Sequence, residues 1–205
     1  MALQAVWRLT DNSNDYVGGN NGTDTDVSYI GGGILGKAAS FNGSTSKIVI
    51  GNVFNLGTAI NLTLSVCVKM NAANLLCELV TKNGYDLFGW RLLKYNTDNK
   101  YYFQGSNSVS SPAFTDTEWH HIVAQREIGG TSDISRLFID GVLVAENSGI
   151  IYDLTNPQNL CIGCLHYSGG YMRFHNGLIS DVKLDFSIWS PASIKNEFAF
   201  AKGLF

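Results

Sequence analysis

The sequence predicts an all-β protein, a two-sheet antiparallel sandwich with one short C-terminal helix, and three observations carry that prediction. Apolar and polar residues alternate nearly throughout. Leu62, Leu64, Val66 and Val68 interleave with Thr63, Ser65, Cys67 and Lys69, the period of two that sends successive side chains to opposite faces of a sheet. Glycine and asparagine clusters such as Gly18-Gly19-Asn20-Asn21-Gly22 and Gly31-Gly32-Gly33 cut the pattern into short segments, and many short strands with such turns imply two packed sheets. The third observation is a hairpin, Arg136-Leu137-Phe138-Ile139 and Val142-Leu143-Val144 joined by Asp140-Gly141. Asp-Gly between alternating runs suits a type I′ turn, which needs positive φ at both central residues.

Along the chain, Met1 to Trp7 has no basic start and no long apolar run, so it reads as a first strand and not as a signal peptide. Either a leader has been trimmed from it, or the protein leaves its host by another route, such as inside a phage particle. Strands are expected near residues 38–41, 47–50, 62–69, 75–81, 88–95, 100–104, 159–162, 172–174 and 177–186, with Trp119-His120-His121-Ile122-Val123-Ala124 opening the strand before the hairpin. His166 and His175 flank Tyr167-Ser168-Gly169-Gly170-Tyr171, which reads as a loop. The best helix runs from Ser190 to Phe198, with Ser190 as N-cap and Pro191 at the first helical position. With no repeat and no linker, residues 1–205 are expected to form one domain.

Composition bounds the function. Charged residues make up 15% of the 205, well below the roughly 25% usual in globular domains, so the surface is expected to be rich in Asn, Ser, Thr and Gly with some exposed apolar area. A net charge of −3 and no basic patch argue against nucleic acid as a partner. No apolar run approaches the roughly 18 residues of a membrane span. Cys67, Cys77, Cys161 and Cys164 invite three readings: free thiols, a disulfide, or zinc. Cys161-Ile162-Gly163-Cys164 has C-x-x-C spacing, but Cys67 and Cys77 are not spaced as a second pair, which favours free thiols.

Five segments in order resemble the laminin-G-like branch of the concanavalin A-like jelly rolls. Asp11-Asn12-Ser13-Asn14-Asp15 with Gly18 and Asn21-Gly22 is similar to that family's "D-x-S-G-N-x-x-x-G". Gly36-Lys37-Ala38-Ala39-Ser40-Phe41-Asn42-Gly43 resembles its "G-K-A-hydrophobic-x-F-D/N-G", and Leu62-Thr63-Leu64-Ser65-Val66 its central strand. The Trp119–Ala124 strand followed by Arg136–Gly141 resembles its "W-H-H-hydrophobic-A" and "R-L-aromatic-hydrophobic-D-G" pair. Gly177-Leu178-Ile179-Ser180-Asp181-Val182-Lys183-Leu184 is similar to its closing strand.

The resemblance implies a jelly roll and a structural calcium ion that ties the first strand to the last. Its expected ligands are Asp11, Asn42, Gly43 and Asp181, although Ser180-Asp181 stands where the family usually has Asp-Glu. Calcium takes six to eight oxygens, carboxylates and carbonyls together. The family also implies structural roles for His120 and His121, and neighbours on a strand point to opposite faces in any case. No "E-x-D-x-x-E" string is present, and glycosidases need two carboxylates astride the scissile bond, so no enzymatic activity is expected.

Binding remains. Sugar recognition on a sheet uses aromatic faces and polar side chains, and Tyr85, Trp90, Arg91, Tyr167, Tyr171 and Arg173 are the expected ligand-binding residues, with Tyr95, Tyr101 and Tyr102 nearby. Two roles are weighed: a recognition module for glycans or cell-surface polymers, and an assembly protein such as a phage decoration or tail component that contacts other virion subunits or copies of itself. The leading expectation is a virion surface, tail or capsid-decorating protein that binds cell-surface glycans, at the virion surface or outside the cell; the alternative is a bacterial carbohydrate-binding or adhesion module of a secreted protein.

Overall fold

The alternating segments assemble into two antiparallel sheets stacked face to face. The computed structural model of the protein describes residues 3–72, 75–83 and 89–203. The chain begins with β1 (Leu3–Trp7), β2 (Thr23–Thr25), β3 (Ser28–Gly33), β4 (Gly36–Asn42), β5 (Lys47–Gly51) and β6 (Leu62–Met70). β7 (Cys77–Asn83), β8 (Gly89–Lys94), β9 (Lys100–Gln104), β10 (Val109–Ala113) and β11 (Trp119–Gly129) lead to the hairpin of β12 (Ser132–Ile139) and β13 (Val142–Gly149). β14 (Leu160–Ile162), β15 (Leu165–Tyr167), β16 (Gly170–Met172), β17 (Asn176–Asp185) and α1 (Pro191–Ala201) complete it. One sheet runs β13-β12-β11-β6-β17-β4-β3, with β1 also paired to β17; the other runs β10-β9-β8-β7-β14-β5-β2.

The core lies between them. Leu64, Val66, Val68, Ile122 and Ile179 from the first sheet meet Ile48, Val80, Trp90, Leu92 and Phe103 from the second. Each large apolar side chain so buried contributes roughly 1.5–3 kcal/mol. The Asp140-Gly141 turn forms as its composition requires, with φ of 52° and 78°. Ser190 caps α1 by accepting a hydrogen bond from the Ser193 N–H at 3.1 Å.

The polar residues Thr63, Ser65 and Cys67 of β6 are buried as well as its apolar ones. The segment after β17 folds across it. Thr63 donates to the Ser187 carbonyl at 2.7 Å, Ser65 Oγ and His121 Nε2 lie 2.8 Å apart, and Val123, Phe138, Trp189 and Ile194 make a second small apolar cluster under α1. His120 points the other way, against Phe114 and Tyr101, with Asp116 and Asp140 on its two ring nitrogens. Trp119 is only half-buried and donates its indole N–H to the Gly32 carbonyl. All four cysteines are free and buried.

Two local features shape the sheets. β17 changes partner midway: residues 176–179 pair with β4 and residues 182–185 with β1, while β6 runs along its other side. At the handover Asp181 adopts φ 50°, and its N–H donates to the Arg8 carbonyl. The segment expected to be a loop is a tight hairpin, β15–β16, turned by Ser168 (φ 49°) and Gly169 (φ 78°). Ser-Gly thus fills both positive-φ positions of a primed turn. The strand expected at 172–174 ends at Met172 for the same reason, because its residues are the hairpin's second arm and exit.

One carboxylate organises the N-terminal loop. Asp15 accepts from the backbone N–H groups of Val6, Val17, Gly18 and Asn20 and from the Asn20 side chain, all within 3.1 Å. Gly18 is required there, since a Cβ would sit 2.2 Å from the Gln4 carbonyl oxygen. Burial raises the Asp15 pKa, but the four N–H donors outweigh it and hold the carboxyl below its ordinary value. A folded-state pKa below the unfolded one gives stability that is present above about pH 4 and lost as pH falls through the folded value. Asp15→Asn is therefore expected to lose about 1–3 kcal/mol at neutral pH. Melting curves between pH 2 and 6 should show a weaker acid dependence for the variant than for the parent.

Candidate ligand-binding face

The outer face of the seven-stranded sheet, turned away from the core, carries a small polar-lined concavity. Cross-strand register sorts its side chains. Trp90 and Leu92 of β8 pair with Lys82 and Val80 of β7 and face inward, so Arg91 and Leu93, paired with Thr81 and Glu78, face outward. β9 continues the pattern, placing Gln104 beside Arg91 and Tyr102 beside Leu93. The β15–β16 hairpin covers part of this face, fastened where Thr81 Oγ1 donates to the Cys164 carbonyl at 2.8 Å. β7 and β8 are consequently buried along their whole lengths.

Glu78 is the junction. Its Oε1 accepts from Arg91 Nη1 at 3.2 Å and from Arg173 Nη1 at 3.3 Å, and its backbone N–H donates to the Arg173 carbonyl at 3.0 Å. Burial pushes the carboxyl's pKa up, opposed by the two guanidiniums. Arg91 Nε donates to Gln104 Oε1 at 2.7 Å. Beside this network lies a pocket of about 210 Å³ lined by Asn83, Arg91, Tyr95, Gln104, Gly105 and Ser108. Tyr95 meets Tyr102 edge-on at 5.0 Å. Among the described residues, the buried Glu78 Oε2 and Asn83 Oδ1 have no hydrogen-bond partner. A buried acceptor without a donor is unusual enough to require a ligand or water in most proteins.

The expected glycan residues are placed unevenly. Arg91 and Arg173, far apart in sequence, come together on Glu78. Trp90 is 0% exposed in the core and donates its indole N–H to the Phe54 carbonyl; facing inward, it offers no platform for a sugar. Tyr171 is half-buried, stacked on His166 at 4.9 Å with Lys47 Nζ 5.0 Å from its ring centre. Tyr167 ends β15, half-buried. Tyr85 lies outside the described residues. Glu78, Asn83 and Gln104 were not anticipated. A β-bulge between Glu78 and Val80 breaks the alternation, so both Leu79 and Val80 enter the core and parity in the sequence does not reveal which way Glu78 points.

The residues expected around calcium do not meet. Asn42 pairs with Asn176 at one end of β17, and Asp181 is five residues further on, roughly 15 Å away at about 3.3 Å per residue. Asn42 Oδ1 instead accepts from the N–H groups of Ser44, Thr45 and Ser46. Asp11 pairs with Lys37 at 2.6 Å and Asp181 with Lys183 at 3.0 Å, so each carboxylate already faces an ammonium. The set does not fit one ion. Among the described residues no group of three or more His, Cys, Asp or Glu side chains is placed to hold a metal.

A second, larger concavity of about 550 Å³ opens on the other side of the molecule, between β1, β17 and α1. Tyr16, Val17 and Phe200 line it and are 55%, 52% and 53% exposed. The ion pairs Asp181–Lys183 and Lys183–Glu197 form its polar side.

The Glu78 junction yields a measurable expectation. Glu78→Ala removes the buried carboxylate that Arg91 and Arg173 share and is expected to cost about 3–5 kcal/mol, read from urea unfolding. Arg173→Ala should cost clearly less, because Arg91 still pairs with the carboxylate.

Comparison with known proteins fits this architecture. No curated protein matches the chain. Among solved structures, domain 4 of an extracellular arabinanase from Geobacillus stearothermophilus, in complex with arabinotriose, superposes with a TM-score of 0.71 at 16% identity, over 95% of this chain and 97% of that one. The binding domain of Paraclostridial Mosquitocidal Protein 1 gives a TM-score of 0.71 at 16% identity over 96% of this chain. The botulinum neurotoxin type C structure described as entering cells through two ganglioside molecules gives 0.67 at 14% identity over 98% of this chain. This chain spans 52% and 51% of those two, about half of each. At such identities the likeness is one of fold. The family model Laminin_G_3 matches residues 41–195, and the chain belongs to the concanavalin A-like lectin/glucanases superfamily.

Proposed function

We propose that the protein is a non-catalytic glycan-recognition module that binds through the outer face of its seven-stranded sheet. The observation that carries this reading is the pocket beside Tyr95, where donors of Arg91 and Gln104 meet the Asn83 acceptor, unpartnered among the described residues. Small apolar patches with a few placed polar groups are what ligand sites require, and Tyr95 supplies the aromatic surface that Trp90 cannot. None of the described pocket-lining residues carries a carboxyl, whereas glycoside hydrolysis needs two flanking the bond. The arabinotriose-bound arabinanase domain, similar over nearly its whole length, supports the same reading by analogy of fold.

A cell-surface or secreted setting accords with this role, and no helix among the described residues is long and apolar enough to cross a membrane. An array of surface glycans is the direct test. We expect at least one hit, weakened about tenfold by Tyr95→Ala, a loss of about 1.4 kcal/mol. Silence across a broad array would sink the reading.

The second reading, assembly, is favoured by the groove lined by Tyr16, Val17 and Phe200. The groove carries both signs of charge, Arg8 and Lys183 against Asp181 and Glu197, and so is self-complementary in the manner a two-fold pair of copies requires. A virion would be one setting for such a contact. Sedimentation should then show a dimer that Phe200→Asp dissociates; a monomer at every concentration would dispose of it.

A further inference from the structure

We infer that the pocket beside Arg91 selects glycans bearing a carboxylate, an inference that rests on the glycan reading above. The argument begins with charge. The chain is net negative at −3, yet this face brings together Arg91 and Arg173 with Glu78 as their shared carboxyl, and Glu78 is fully buried beneath them. Arg91 is the one charged side chain among the described residues that line the pocket, and a guanidinium there suits an anion.

Hydrogen-bond accounting then identifies the atoms. Arg91 spends Nε on Gln104 Oε1 and Nη1 on Glu78 Oε1. Nη2 has no partner among the described residues, and Arg91 lines the pocket. Gln104, whose oxygen is held by Arg91, keeps its amide N–H groups as donors toward the same space. A charged N–H and an amide N–H on neighbouring strands suit the two oxygens of a planar carboxylate, where a charge-assisted bond is about twice as strong as a neutral one. Asn83 Oδ1, buried without a donor among the described residues, supplies the complementary acceptor for a hydroxyl. A volume of about 210 Å³ is below the 300–1,000 Å³ of drug-sized sites, which matches one sugar ring rather than several. Tyr95 forms an aromatic wall.

The test is an array that pairs neutral oligosaccharides with carboxylated counterparts, lactose with 3′-sialyllactose and methyl-esterified with free trigalacturonate, followed by titration calorimetry on the hits. We expect the acidic member of a pair to bind at least tenfold tighter, with that preference shrinking as NaCl is raised. Gln104→Glu is nearly isosteric and keeps the acceptor for Arg91 Nε, but places a negative charge in the pocket. It should abolish the preference for the acid. Arg91→Gln should do the same, and because it disturbs the Glu78 junction its melting temperature is recorded alongside. Hits with equal affinity for both members, or for neutral members only, would overturn this inference and leave the glycan reading standing. Silence for every glycan would overturn both. An acid preference that survives Gln104→Glu would overturn the assignment to this pocket.

Discussion

A sheet covered on both faces leaves its charged residues no water to turn to, and the seven-stranded sheet is in that position along β7 and β8. Its inner side meets the core. Its outer side meets the β15–β16 hairpin. Glu78 therefore has to find its counter-charges inside the protein, and it finds them in Arg91 from the next strand and Arg173 from the hairpin's exit. A buried carboxylate of this kind stabilises little in net terms, because desolvation nearly offsets the attraction. What it supplies is placement: with both guanidiniums pinned to one oxygen, and Gln104 pinned to Arg91, the polar groups of the pocket are held before any ligand arrives.

The same logic divides the two faces of the molecule. The outer face of the eight-stranded sheet is sealed in part by the segment from Ser187 to α1, whose apolar residues Trp189 and Ile194 rest on Val123 and Phe138. Neutral groups fill the layer there: Thr63 donates to the Ser187 carbonyl, and Ser65 Oγ meets His121 Nε2. Burial pushes the His121 pKa down to about 4, which keeps that layer neutral. The concavity beside it is apolar and rimmed by balanced charge, whereas the one on the opposite sheet is lined by Asn83, Arg91, Tyr95 and Gln104. The molecule thus presents two faces with different chemistry.

Much of the fold is legible in the residues because it rests on local rules. Alternation marks β6, Asp140-Gly141 has the one backbone geometry that joins β12 to β13, and Ser190-Pro191 starts α1 where such a pair belongs. What escapes is anything decided by a neighbour far along the chain. The polar stripe of β6 looks solvent-facing until residues more than a hundred positions later cover it. Trp90 looks like a stacking surface, yet register alone turns it into the core. Arg91 and Arg173 were singled out separately; the carboxylate that unites them was hidden by a bulge. The residues expected around calcium stay apart because Asn42 pairs with the first residue of β17 while Asp181 lies at its middle, a distance no motif records.

The partner exchange along β17 bears on how the molecule comes to be folded. β17 is close to the end of the chain in sequence, yet it lies in the interior of its sheet, with β6 on one side and β4 and then β1 on the other. During synthesis the strands at residues 3–7 and 36–42 therefore emerge with no partner for the edge they will eventually share, and must wait for residues 176–185. Pairings of such long sequence separation close slowly, and unpaired edges are exposed in the interval. The Asp181 kink lets a single late strand complete both junctions at once, so that closure of the sandwich is one event near the end of the process instead of a gradual accretion.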